Sequence, residues 1–308
     1  MKIKIINTII IILCLIALIE LLINKEIIFK TISYSLNIWV NSLIPSLFPF
    51  FVISDILINY NITNYIPPVT KKIFTKIFNI SNNIVTIFFL SLISGFPSSA
   101  RNIKLMLDNN LITKKEGTHT LIFTHFSNPL FILGTVSLFL NSNTLALIIL
   151  ISHYIPNIIL GIITRNLNTP TKNIITNNKI ISFPNILINS IKKSIDTLLM
   201  ILGTLSIFLV ISGIIINRLN LNIYSQSILK CILEITMGLK SISELNIPNI
   251  YKTIISSMAI SFGGLSIHIQ VLSFIEEYKL SYKTFLISRF YHSILSGIIA
   301  FILYKIII

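Results

Sequence analysis

Six stretches of the chain are apolar on every helical face for the thickness of a bilayer: residues 5–23, 35–58, 119–140, 144–163, 195–216 and 284–304. A helix needs roughly 20 such residues to cross the hydrocarbon core, so the pattern predicts six crossings. Residues 84–94 and 253–261 are apolar over about half that length. Each stops at a helix breaker and resumes as a mixed polar and apolar segment, which predicts re-entrant hairpins near 84–107 and 251–276 in place of spans. Non-helical backbone at membrane depth is tolerated only where protein or a water-filled cavity covers it, so both breaks point to a buried polar site.

Composition agrees. Apolar residues make up 54% of the 308 and charged ones 11%, and no polar region is long enough for a soluble domain, so residues 1–308 read as a single membrane domain whose first partner is the lipid bilayer. The net charge of +14 comes from lysines scattered through short loops, with no recognition motif to present them, which excludes nucleic acid as a partner. Cys14 and Cys231 are too few for a disulfide framework or a CxxC site. Lys2 and Lys4 precede the first apolar run as in a signal peptide, but no small-x-small cleavage pattern follows, so residues 1–33 read as a retained N-terminal helix. No Walker, HExxH, GxSxG or Rossmann pattern occurs, and the chain is expected to be neither an enzyme nor a binder of a cofactor or metal.

Charge orients the spans. With both hairpins returning to their own side, one face collects Lys2, Lys4, Lys71, Lys72, Lys76, Arg101, Lys104, Lys114, Lys115, Arg165, Lys172, Lys179, Lys192 and Lys193. That face is expected to be cytoplasmic. The other keeps Lys25, Lys30, Arg218, Lys230, Lys240, Lys252, Lys279 and Lys283.

The two halves also resemble one another. Phe50-Phe51-Val52-Ile53-Ser54-Asp55-Ile56-Leu57-Ile58-Asn59 matches Phe208-Leu209-Val210-Ile211-Ser212-Gly213-Ile214-Ile215-Ile216-Asn217. The breaker Ser94-Gly95-Phe96-Pro97-Ser98-Ser99 stands where Ser261-Phe262-Gly263-Gly264-Leu265-Ser266 stands, and Phe123-Thr124-His125 aligns with Phe290-Tyr291-His292. An odd number of crossings between equivalent points makes the repeats inverted. The expected fold is thus an all-α polytopic membrane protein of two inverted structural repeats, residues 34–163 and 190–308, each with a re-entrant helical hairpin.

Four motifs carry a family resemblance: Ser94-Gly95-Phe96-Pro97; Thr124-His125-Phe126-Ser127-Asn128-Pro129; Leu233-Glu234-Ile235-Thr236-Met237-Gly238; and Phe262-Gly263-Gly264-Leu265-Ser266-Ile267-His268-Ile269-Gln270-Val271. In this order they resemble the YlbJ-type sporulation integral membrane proteins, over most of the chain after the first helix. The resemblance implies kinship with membrane proteins sharing a nucleoside-recognition or gate domain, and a role in spore cortex formation in the mother-cell-derived outer forespore membrane. It supplies no substrate. The sequence departs from the family pattern at Ser98, Ser99 and Arg101, where a small residue followed by lysine is more usual.

The candidate substrate-binding residues follow from the breaks. Gly95, Pro97, Gly263 and Gly264 free backbone groups, and half-helix N-termini with free N–H groups can hold an anionic or polar ligand; Ser94, Ser98 and Ser266 add hydroxyls. Close helix packing by small residues is the alternative. Asn128 and Pro129 interrupt a span and leave an amide at membrane depth, or else mark a simple kink. Glu234 is an intramembrane carboxylate, costing about 2.5 kcal/mol or more, if its segment enters the bilayer, with Thr236 and Gly238 as local ligand and hinge; on the surface it is an ordinary solvated residue. His268 and Gln270 follow the Gly-Gly break; no second ligand lies at helical spacing from His268 to build a metal pair. Arg289, inside the last span, pairs with Glu276 or Glu277, snorkels, or meets an anionic substrate. Two readings follow: a secondary carrier of an unknown small polar solute, or a non-transporting structural or assembly protein acting through other sporulation membrane proteins or a second copy of itself.

Overall fold

The computed structural model describes residues 2–167 and 182–308, so the predicted Lys172 and Lys179 lie outside the described residues. Among those described every regular element is helical, and five helices, or six counting one sharply bent pair, are long and apolar enough to cross a membrane. The chain is a polytopic α-helical membrane protein.

Helix α1 (Lys2–Ile23) is followed by α2, a 35-residue rod over Lys25–Asn59 with one π turn at Trp39–Leu43. Next come α3 (Pro68–Phe78) and α4 (Asn82–Ser94), bent 93° to each other, then α5 (Ser98–Asp108), α6 (Lys114–Phe123), α7 (Phe131–Leu140) and α8 (Asn143–Ile163). The second part repeats much of this order. A 37-residue rod, α9 (Phe183–Leu219), is followed by α10 (Ile223–Leu233), α11 (Ile235–Glu244), α12 (Asn249–Phe262), α13 (Gly264–Ile275) and α14 (Tyr282–Ile307).

Helices α4 and α5 form the hairpin expected near 84–107. Asn83, at the start of α4, donates its amide to the Leu111 carbonyl just past α5 at 2.7 Å, so the chain returns to the level at which it entered. The second expected hairpin, near 251–276, is instead a broken span. Phe262 meets the Phe290 ring, Ser293 donates to the Met258 carbonyl at 2.9 Å, Ser296 donates to that of Ser257 at 3.2 Å, and beyond the break His268 meets Tyr282 and Phe285. One straight helix, α14, thus runs antiparallel past both arms, which must lie in line. Serines and glycines line this seam, and small residues let helices approach closely where lipid offers no hydrophobic drive.

The hairpin of the second part lies earlier, in α10 and α11. Ser227 and Ser241 share a hydrogen bond at 2.8 Å, and a Cβ on Gly238 would come within 2.5 Å of the Cys231 backbone, so the arms are packed antiparallel with Glu234 at the tip. The expected span 119–140 is also interrupted, by five non-helical residues from Thr124 to Asn128. Breaker matching alone had therefore paired unlike elements: Gly95 sits at a hairpin tip and Gly263 in a broken span, while Phe290-Tyr291-His292 lies within an unbroken helix.

Two ends of the bundle are defined by contacts. At one, Asn79 bonds the Arg165 carbonyl at 3.1 Å, Lys104 pairs with Glu277, and Tyr278 donates to Asp108. At the other, Asn217 bonds Asn24 at 3.0 Å and Arg218 pairs with Glu20 at 2.7 Å. Lys279 and Lys283, expected on the lysine-poor face, follow Tyr278 to the lysine-rich end, because residues 249–275 cross and do not turn back.

Candidate functional site

The interruption between α6 and α7 has a complete physical account. Pro129 has no N–H and cannot continue a helix past it, so backbone groups are released at membrane depth, where each orphan costs several kcal/mol. Side chains of α8 take them up: Asn157 donates to the His125 carbonyl at 3.0 Å, Tyr154 to that of Ser127 at 3.1 Å, and the Ser127 N–H donates to His153 Nε2 at 2.8 Å. Asn128 closes the turn on itself, its Oδ1 accepting from the Leu130 N–H at 2.7 Å, and its amide reaches the Ser46 carbonyl of α2 at 3.0 Å.

The tip of α4–α5 rests against this break. Gly95 adopts φ +75°, and any Cβ on it would fall inside the Asn128 backbone, so glycine is required by both conformation and contact. The other hairpin tip does the same on the opposite part: Glu234 caps α11 by accepting the Met237 N–H at 2.9 Å, and a Cβ on Gly264, at φ +67°, would lie 3.4 Å from the Cys231 carbonyl oxygen and the Ile235 nitrogen. Each hairpin tip is seated on the break of a span.

Between the two tips lies a cavity of about 60 Å³. Hairpin tips contribute Phe96, Glu234, Ile235 and Thr236; the breaks contribute Ser127, Asn128, Phe131, Ser266, Ile267 and Gln270; the rods contribute Leu43, Ser46, Leu47, Ile201 and Leu205. An apolar wall carrying a few convergent polar groups is the usual make-up of a small-molecule site. Glu234 is 3% exposed and forms no ion pair with any described residue. Its segment is enclosed and not on the surface. Gln270 donates to Thr204 at 2.9 Å, and the Ser127 hydroxyl is buried without a partner.

Of the residues singled out from sequence, Asn128, Glu234, Thr236, Ser266 and Gln270 line this cavity. Gly95, Pro97, Gly263 and Gly264 shape the tip and break beside it, and Pro129 ends the unwound segment. Ser94 donates to the Leu90 carbonyl, Ser98 accepts from Asn102 at 3.2 Å, and Gly238 packs on Cys231, so these three build the hairpins without lining the cavity. His268 turns away: its Nε2–H donates to the Phe262 carbonyl and its Nδ1 accepts from Tyr282, both at 3.0 Å. Among the described residues no cluster could hold a metal ion.

A buried network behind the first break was not foreseen. Because the Ser127 N–H can only donate, His153 Nε2 must accept, and its Nδ1–H then donates to Ser261 at 2.9 Å. Arg289 can likewise only donate, to His292 Nδ1 at 2.8 Å, so the His292 Nε2–H donates to the His153 carbonyl at 2.8 Å. Arg289 is fully buried, also meets the Ile122 carbonyl and forms no ion pair with Glu276 or Glu277, so it neither pairs with them nor snorkels but holds a packed, hydrogen-bonded position that its sequence readings did not include. Lone histidines on apolar faces carry no sequence signal for such a chain.

Aligned over 316 positions, the chain is 25% identical to the sporulation integral membrane protein YlbJ of Bacillus subtilis (strain 168), covering 90% of this chain and 78% of the relative. It is a homologue of YlbJ. The YlbJ-type resemblance carried by the four motifs is thereby supported across nearly the whole chain, including both hairpins and both breaks. No family model matches the chain, and no solved structure matches it.

Proposed function

We propose that the protein is a secondary carrier of a small polar solute, acting in the membrane around the developing spore and serving cortex formation. The sporulation role follows the name of its YlbJ relative. The carrier role rests on one observation: two hairpin tips, each seated on a broken span, enclose a single cavity holding an unpaired carboxylate. A buried carboxylate without a cation is costly, and a structural protein of this fold would gain by replacing it.

The element order of rod, hairpin, broken span and straight span occurs twice, and the lysine-rich end hosts the base of the first hairpin while the second is based at the opposite end. We read these as inverted repeats, re-aligned so that α4–α5 corresponds to α10–α11 and the Asn128 break to the Gly263–Gly264 break. Opposed hairpins over one site permit access from alternate sides.

The test is Glu234→Gln, which keeps shape and removes charge, beside Gly264→Leu, which fills the seat of the second hairpin. Heat-resistant spore yield is scored with protein abundance. Both variants should lower yield while Glu234→Gln accumulates normally; full yield from both at normal abundance would overturn the carrier reading in favour of a structural role.

A further inference from the structure

Asp55, Arg101, Lys104, Lys193, Thr197 and Ser273 line a second cavity, of about 340 Å³, toward the lysine-rich end. It is stacked directly on the central one. Along α9 the lining passes from Thr197 and Met200 to Ile201 and Leu205; along α13 it passes from Ser273 to Gln270 and Ser266. Along α2 it passes from Asp55 to Leu47, and along α5 from Lys104 and Arg101 back to Phe96 at the tip. The same four walls serve both cavities, one or two helical turns apart.

What separates them is small. Phe51, fully buried and lining neither cavity, packs with Leu47, Leu198 and Ile201 between the two sets of lining residues. On its outer side the Arg101 guanidinium lies over the Phe51 ring at 5.3 Å and donates to the Phe51 carbonyl at 3.3 Å. It also donates to Ser194 at 3.4 Å and pairs with Asp55 at 3.5 Å. Both members of that pair are at most 5% exposed, whereas each other ion pair among the described residues has a partner at least 37% exposed or a cation at 52%. One side chain therefore fastens the first hairpin to both rods. Its contacts sit at the long edge of hydrogen-bonding distance, so closure is held by several weak links and not one strong one.

We infer that Phe51 and the Arg101–Asp55 clamp form the gate through which solute passes between an outer vestibule and the central cavity. This rests on the carrier reading of the central cavity. Opening requires the α5 arm to withdraw Arg101 from α2 and α9, which frees Phe51 to turn aside.

The test uses the full chain in membrane vesicles of known orientation, with Cys14→Ser and Cys231→Ala as background and Ser127→Cys as a reporter in the cavity. A charged, membrane-impermeant methanethiosulfonate is applied from each end. Phe51→Ala and Asp55→Asn should each speed labelling from the vestibule end by about tenfold, as loss of closed-state preference shifts the population, with the rate from the opposite end unchanged. Phe51→Ala keeps the ion pair and decides the matter should Asp55→Asn fail to accumulate. Unchanged vestibule-end rates, with the reporter still labelled from the opposite end, overturn the gate and leave the cavity standing. A reporter that reacts from neither end in any variant overturns the gate and the carrier reading together.

Discussion

At the scale of single residues, Gly95 and Asn128 are fixed by each other. A side chain at Gly95 meets both a left-handed backbone and the Asn128 main chain, two penalties of which the first alone is about 1–3 kcal/mol. Gly95→Ala is therefore expected to lower the melting temperature in detergent sharply. Gly203→Ala, at a helical position of α9 with nothing within 4 Å, should leave the melting temperature unchanged or raise it, the gain in helix propensity being up to about 1 kcal/mol. A fluorescence melt of both variants checks this. Sequence identified Gly95 because glycine before proline at the end of an apolar run is a strong local signal. It could not identify Phe131 or Ser46 as cavity residues, since a serine or phenylalanine among isoleucines looks the same whether it packs or lines a site.

At the scale of elements, a broken span survives only if neighbours take over its backbone hydrogen bonds. For the first break the neighbour is α8, and His153 is the side chain that joins it to both Ser127 and the α12 residue Ser261. His153→Ala leaves a buried N–H and a buried hydroxyl without their partner, at about 1–3 kcal/mol for each unsatisfied group. The expected outcome is a lower melting temperature and increased protease sensitivity around residues 124–130. A melt and limited proteolysis in detergent measure it, and an unaltered cleavage pattern would count against the bracing role. The direction of each breaker-containing segment was not legible at this scale. Glycine reports that a helix stops; whether the chain then turns back, as at Gly95, or goes straight on, as at Gly263, depends on what α14 and α6 place beside it.

At the scale of the whole molecule, the path of α12 and α13 fixes which loops share a side. Single cysteines at Lys115 and Glu276 should react with an impermeant thiol reagent from one side of the membrane, and cysteines at Asn143, Tyr224 and Asn246 from the other. Labelling of intact and inverted vesicles reads this directly; Glu276 grouping with Asn246 would restore a hairpin over 249–275. The sequence by itself determined that the protein is a helical bundle in a membrane, that helices stop at Gly95, before Pro129 and at Gly263, and which polar residues are too costly to be incidental, because hydrophobic length and backbone hydrogen bonding are properties of the local chain. Only the tertiary structure decided that α10–α11 is the second hairpin, that Glu234 faces Asn128 across one cavity, and that Arg101 bolts the first hairpin to both rods. Those outcomes depend on which segments pack against each break, a matter of long-range contact that no local pattern of residues records.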